Sequence, residues 1–319
     1  MIWLAWRLQR LELGLSAGLL ALLTAYMYVT GESIHAVYPH LRRACAASGD
    51  GLACSRLSQA VDDWALPYRT LFIWLQLIPF GFALLAAVPL ILQLEHGTFR
   101  LVWTQSATRD RWIAAMLGSA LLATAVASAG FDLLTSWWLQ PLDAVQGGLR
   151  PGSFELDGVA PIAYGVFALA LVVTAGTLLR RSIAAVGVAL AGFLVAHFII
   201  AGWVRPHYLP PARIAWLIGV PQHGRFLYDS DWLIASGISD GRGPLHAQES
   251  VGLICPPKFH GAIQILTACL RQHHWTYNTL IYQPSARFWP FQFIESAIYV
   301  GMAAILLMVA IWWIRARPT

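Results

Sequence analysis

Residues 158–204 read GVAPIAYGVFALALVVTAGTLL, then Arg180-Arg181, then SIAAVGVALAGFLVAHFIIAGWV. Two charge-free windows, Gly158–Leu179 and Ser182–Val204, thus flank a pair of arginines. A helix crosses a bilayer with roughly 20 apolar residues. Both windows reach that length, and so tight a hairpin makes the two helices antiparallel neighbours. Outward from it, the pattern recurs in Leu13–Gly31, Thr70–Leu94, Trp112–Phe131 and Phe288–Ile314, the last holding one charge, Glu295. The expected spans are 13–31, 70–94, 112–134, 158–179, 182–204 and 288–314. The expected fold is an all-α polytopic membrane protein with six transmembrane helices.

Composition agrees. Of 319 residues, 58% are hydrophobic and 12% charged, and the mean hydropathy is +0.59. A soluble domain carries about 25% charged residues. That deficit excludes a disordered tail, a collagen-like fibre and an ordinary cytosolic enzyme. The net charge of +5 comes from basic residues scattered singly or in pairs. They form no stripe, so nucleic acid is not an expected partner. No A-x-A-like cleavage site follows the first window, which is expected to remain as an anchor.

Orientation follows from arginines near span ends. Arg7, Arg10, Arg100, Arg109, Arg111, Arg180, Arg181, Arg315 and Arg317 fall on one side, in very short segments. The other 12 basic residues lie in long segments and mix with 11 acids. Long segments count little, so both termini are expected in the cytoplasm of a cell (plasma) membrane protein. Trp112, Trp137, Trp138, Trp203, Trp289, Trp312 and Trp313 lie near span ends, as an interfacial belt would.

Outer loops are expected at 32–69, 139–157 and 205–287. Within the last, the apolar stretches Ile214–Val220 and Ala262–Leu270 are too short to cross a bilayer and are expected to form short helices. Cys45, Cys54, Cys255 and Cys269 all fall in outer loops. An oxidising exterior suits disulfides. Four cysteines allow three pairings. The local pairs, Cys45–Cys54 and Cys255–Cys269, close the shortest loops and are the expected ones. No metal site is expected: the C-x-x-C spacing is absent, and His273 and His274 point apart.

An ATPase needs G-x-x-x-x-G-K-[ST] to cradle phosphates. The single lysine, Lys258, lies in Cys-Pro-Pro-Lys, which is no such loop. There is no G-x-S-x-G elbow and no H-E-x-x-H helix. The chain is therefore not expected to be an enzyme or to bind a cofactor. Polar groups within spans are candidates by their cost in lipid. These are Asp132, His197 and Glu295. Arg287 is the expected partner of Glu295 if the chain bends at Pro290. The remaining histidines read as polar surface.

Residues 95–112 read EHGTFRLVWTQSATRDRW. This inner loop resembles the coupling loop between spans two and three of type-2 ABC exporter permeases. It is most similar to an actinobacterial group with E-x-G-T-x-R-L-x-W-T-Q-S-x-T-R-x-R-W. Trp137-Trp138 before Pro141-Leu142-Asp143, Tyr282-Gln283-Pro284, Arg287-Phe288-Trp289, Phe291-Gln292 before Glu295, the N-terminal MIWLAWR and the Arg180-Arg181 hairpin strengthen the resemblance. It covers nearly the whole chain, although 205–287 is longer than the outer hairpin of many such permeases.

The resemblance implies one membrane subunit of an ATP-driven exporter. Two such subunits, expected as a homodimer, would form the path through the lipid bilayer. Separate ABC ATPase subunits would carry ATP and Mg. Glu95, Gly97, Thr98, Arg100, Thr104, Gln105, Arg109 and Arg111 would form the ATPase-coupling loop. Gln283, Pro284, Arg287 and Trp289 would belong to the outer gate. Residues 1–11 would form an amphipathic helix at the inner interface, and 12–319 the permease domain. The alternative is a non-transporting sensor, immunity or scaffold subunit whose outer segment binds a ligand; an intramembrane enzyme has no visible nucleophile–base set. The cargo is not encoded legibly, though Trp- and Pro-rich outer loops hint at amphiphilic or hydrophobic molecules.

Overall fold

The computed structural model describes residues 2–48, 51–96, 109–218, 230–247, 254–255 and 263–316. Nine helices follow one another among these residues: α1 (Ile2–Ser48), α2 (Gly51–Ala65), α3 (Arg69–Leu75), α4 (Ile78–His96), α5 (Arg109–Gln146), α6 (Ala160–Leu179), α7 (Ser182–Ile199), α8 (Ile263–Gln272) and α9 (Phe288–Ala316). Six stretches are long and apolar enough to cross a membrane: Gln9–Ala47, Gly51–Gln93, Asp110–Gln146, Ala160–Leu179, Ser182–His207 and Ser285–Ala316. The six windows read from the sequence each fall largely within one of them.

The opening hairpin becomes α6 and α7. Arg180 ends α6 in the left-handed region, at φ 52, and its N–H bonds the Gly176 carbonyl at 3.0 Å. That conformation is usually left to glycine. Helix α6 lies at the centre, packed by α4, α5, α7 and α9. Its core neighbours include Phe193 of α7 and Tyr299 of α9. Lipid supplies no hydrophobic drive between helices, so close packing of small residues must hold them. Gly165 shows how close: a Cβ there would meet the Ser128 hydroxyl of α5 at 2.5 Å.

A second core joins α1, α2, α3 and α5 around Trp138, which is fully buried. The rings of Trp64, Tyr68 and Phe72 meet it edge-on or tilted. Its indole N–H donates to the Thr30 hydroxyl at 3.2 Å, and the Trp64 indole donates to the Thr30 carbonyl at 2.9 Å.

The structure corrects several expectations. The chain is mostly helical rather than all-α, because β1 (Ala212–Leu217), β2 (Trp232–Ser239) and β3 (Tyr277–Gln283) form an antiparallel sheet in the order β1-β3-β2. Ile214–Leu217 is therefore strand, not helix. The stretch beginning at Ala262 gives α8 from Ile263 onward, as expected. Residues 32–69 are not a loop: α1 runs on to Ser48, and α2 turns back beside it. Helix α5 likewise continues to Gln146, through Pro141. Trp112 and Trp138 are buried in protein, while Trp203, Trp289 and Trp312 are exposed as a belt requires.

Both expected disulfides are present, Cys45–Cys54 and Cys255–Cys269. The first pins α1 to α2. Cys255, Cys269 and His273 bring their ligand atoms within 4.8 Å of one another, but the disulfide removes both thiolates from metal chemistry.

Candidate functional site

Charge converges at one end of the bundle. Helix α7 closes in a π-helical turn, Ile200–Val204, and a 3-10 turn, Arg205–His207, with Pro206 in its first turn. This places Arg205 inside the protein, with no exposed surface. Its Nη2 donates to Glu295 Oε1 at 2.7 Å and its Nε to Glu295 Oε2 at 2.8 Å. Its Nη1 donates to Glu155 Oε1, and its guanidinium sits 4.3 Å from the centre of the Phe154 ring. A planar fork is the side chain suited to such two-point pairing.

The carboxylates are satisfied further. Tyr164 of α6 donates its hydroxyl to Glu295 Oε1 at 2.5 Å, and Tyr208 donates to Oε2 at 3.0 Å. The Gly152 N–H donates to Glu155 Oε2 at 2.5 Å. Burial alone would raise the pKa of Glu155, but the adjacent Arg205 outweighs it and holds the carboxyl below its ordinary value. Burial, and then the charge of Glu295, push the Tyr208 phenol up. Two carboxylates thus share one guanidinium in a buried site, with hydroxyl and backbone donors completing the set.

The segment 147–159 brings Glu155 inward. It dives into the protein, burying Leu149, Phe154 and Leu156. Gln292 of α9 holds its far end. The Ala160 N–H donates to Gln292 Oε1 at 2.8 Å, while Gln292 Nε2 donates to the carbonyls of Asp157 at 2.7 Å and Phe154 at 3.1 Å. Gly158 permits this, with φ +82 and an imagined Cβ 2.7 Å from Gln292 Cδ.

Of the residues expected near the outer gate, Gln283 and Arg287 come together. Arg287 donates to Gln283 Oε1 at 2.5 Å and to the Pro210 carbonyl at 2.7 Å. Gln283 Nε2 donates to the carbonyls of Pro206 and Leu209 at 3.1 and 2.8 Å. Pro284 and Trp289 flank this joint, which ties the sheet to the turn carrying Arg205. Arg287 is not the partner of Glu295, contrary to expectation. No bend at Pro290 brings it there; Pro290 sits in the first turn of a continuous α9.

His197 is buried on α7, within the fifth candidate span, and its Nε2 meets Gln76 Oε1 at 3.1 Å. Asp132 lies on α5 with Oδ1 buried and unpartnered among the described residues. At the opposite end of the bundle, Glu95 Oε2 accepts the Ser182 N–H at 3.2 Å, and Asp110 pairs with Arg315 at 2.8 Å. Arg109 and Arg111 open α5 beside that pair. Gly97, Thr98, Arg100, Thr104 and Gln105 lie outside the described residues.

The network residues that sequence reasoning did not reach are Arg205, Glu155, Tyr164 and Tyr208. Arg205 and Glu155 stand outside the charge-free windows by one residue and three. A charge hard against a span is the one local signal they offer, and it does not reveal a pairing across 50 and 90 residues of chain.

A family model described as ABC-2 membrane transporter related matches residues 17–205, more than half of the chain. It begins in α1 and ends at Arg205. No curated protein and no solved structure matches the chain.

Proposed function

The chain belongs to the ABC-2 membrane transporter related family, and from that membership we propose that it is the membrane-spanning permease subunit of an ATP-driven exporter. The observation that carries this reading is the family match across the first five of the six candidate spans. Two copies form the translocation path, and two separate ABC ATPase subunits bind the end of the bundle bearing Glu95, Arg109, Arg111 and the Arg180-Arg181 hairpin. That end faces the cytoplasm, and the sheet lies outside a plasma membrane. The likeness of the 95–112 segment to an actinobacterial exporter group supports the outward direction.

In this reading the buried Arg205 network latches the outer mouth. It joins α6, α7, α9 and the 147–159 segment through one guanidinium, and the π-helical turn before Arg205 is the element able to rewind. The phosphate loop missing from the sequence fits an engine on another chain. The test is copurification with a candidate ABC ATPase subunit, followed by reconstitution. The complex should hydrolyse ATP and export, while the membrane subunit alone should not hydrolyse ATP. Hydrolysis by the isolated, uncontaminated chain overturns the assignment.

A further inference from the structure

A cavity of about 650 Å³ opens beside the buried network, between α3, the end of α5, the 147–159 segment and the end of α7. Protein interiors hold few voids larger than a water molecule, and ligand pockets run about 300–1,000 Å³. A space of this size is a pocket, and its lining decides what enters.

Polar side chains reach the wall, yet their heteroatoms are engaged or closed off. Arg205 and the Gly152 N–H hold the Glu155 carboxylate. His197 Nε2 meets Gln76 Oε1 at 3.1 Å, and its Nδ1 has no accessible surface. Asp143 Oδ1 accepts from the Ser153 hydroxyl, and its Oδ2 is closed off in the same way. Arg69 pairs with Asp62 at 3.7 Å, and Arg150 donates to Gln146 at 3.2 Å. The surface left to an occupant is mainly carbon, with Phe72, Ile73, Leu142, Phe198 and Ala201 in the lining. Water gains little from such a wall, whereas every methylene brought against it buries apolar surface.

The mouth identifies the source of those methylenes. Ile73 and Phe198 line the cavity and are largely exposed. They belong to two candidate spans, Gly51–Gln93 and Ser182–His207. Exposed apolar side chains on a span face the hydrocarbon of the bilayer. Phe72 and Leu142 are buried, at 8% and 6% exposure. A chain from the bilayer therefore touches them only by entering the cavity.

We propose that this cavity takes one acyl chain of a bilayer lipid, entering past Ile73 and Phe198, and that it selects the tail and not the head. The chain lies against the 147–159 segment and the π-helical turn of α7, two of the elements that meet at Arg205. The proposal rests on the spans and not on transport. It is measured on the full chain without an ATPase, so its failure leaves the permease reading intact.

The experiment reconstitutes the full chain in vesicles of phosphatidylcholine that carries a photoreactive diazirine partway along one acyl chain. After irradiation, adducts are mapped by peptide mass spectrometry. Every lipid-facing surface is open to labelling, and Phe293 and Met308, exposed on α9, report that background. Occupancy of the cavity should add labels at Phe72 and Leu142. Gly202 lines the cavity, and a Cβ there meets no atom within 4 Å. Gly202→Trp should displace at least two methylenes of chain and lower the Phe72 and Leu142 labels about tenfold or more. The α9 labels should stay unchanged. Ala201→Phe, on the same wall, should act in the same direction and decides the matter if the tryptophan variant folds poorly. Phosphatidylglycerol bearing the same photoreactive tail should label the cavity to the same extent. Labels confined to exposed surfaces, or cavity labels that survive both variants, mean ordinary annular lipid and overturn the proposal. Labelling of Leu142 with one head and not the other overturns it as well, because the polar groups would then be deciding.

Discussion

Arg205 and Glu295, 90 residues apart in sequence, meet as a two-point ion pair in which neither side chain has any exposed surface. Taking both charges out of water is expensive, so such a pair chiefly fixes geometry. Removing one partner is another matter, because it strands the other. Arg205→Met leaves Glu155 and Glu295 buried without their cation and should cost about 3–5 kcal/mol. Arg205→Lys keeps a charge but loses the fork and should fall between that variant and the wild type. Thermal unfolding of the detergent-solubilised chain ranks the three. A Met variant as stable as wild type would show that the pair contributes nothing to holding α7 against α9.

Acid should loosen the same site. Burial raises the Glu155 carboxyl, yet Arg205, first through its charge and then its hydrogen bond, brings it below its ordinary value. The folded state thus binds its proton less readily than the unfolded chain, where a glutamate titrates near about 4.3. The stabilisation is full above that value and is lost as pH falls through the lower, folded value. Thermal stability should hold steady from neutral pH to about 5 and decline below about 4 as this linkage is lost. Glu155→Gln should start less stable and decline less. Parallel acid profiles for the two proteins would refute the role given to Glu155.

Gly158 is a place where one methyl group matters. Its φ of +82 strains an L side chain, and the Cβ would strike Gln292, which pins the 154–160 backbone. Gly158→Ala should destabilise by about 1–3 kcal/mol. Gly202→Ala, with nothing within 4 Å of its Cβ, serves as the control. Equal melting temperatures for the two variants would contradict the packing described.

What the sequence made legible, and what it did not, divides along the range of the interactions. Span number and the α6–α7 hairpin depend on twenty-residue averages and on Arg180-Arg181, which are local. The disulfides were legible because their partners lie 9 and 14 residues apart. The strand at Ile214–Leu217 was not: apolar residues fill almost every position, so neither a helical nor an alternating period shows. Its state is set by pairing with Tyr277–Thr279 and Leu280, some 60 residues on. Trp138 looked like a belt residue by position, yet Trp64 and Phe72 from other helices enclose it. The Arg205 network was hidden for the same reason. Arg287 is nearer to Glu295 in sequence, but it is turned toward Gln283 and Pro210.

The disulfides offer a separate check on two distant parts of the chain. Cys45–Cys54 closes the α1–α2 hairpin and Cys255–Cys269 anchors the C-terminal half of α8. Non-reducing peptide mapping should recover both links. Cys45→Ser with Cys54→Ser should lower stability by about 2–4 kcal/mol. Recovery of four freely alkylatable thiols from the folded, oxidised chain would exclude both bonds.

The coupling proposal for Glu95–Arg111 has the most functional weight. A soluble ATPase must act on protein exposed in the cytoplasm, and in the proposed orientation this is the inner segment long enough to hold a short helix. It connects α4 to α5 directly, so a push on it reaches the two helices that pack the central α6. The charges at its ends are engaged with the bundle: Glu95 accepts from Ser182, and Asp110 pairs with Arg315. The latter pair is exposed on both sides, and such pairs contribute about 0–1 kcal/mol. Glu95→Gln and Arg100→Gln should therefore leave insertion and thermal stability nearly unchanged while weakening ATPase docking or transport-coupled ATP hydrolysis. A scramble of Thr98–Thr108 that preserves its charge separates docking from topology, since the positive-inside signal survives it. The scrambled chain should insert normally and fail to copurify with its ATPase. Native export by that chain would reduce the loop to a topological anchor.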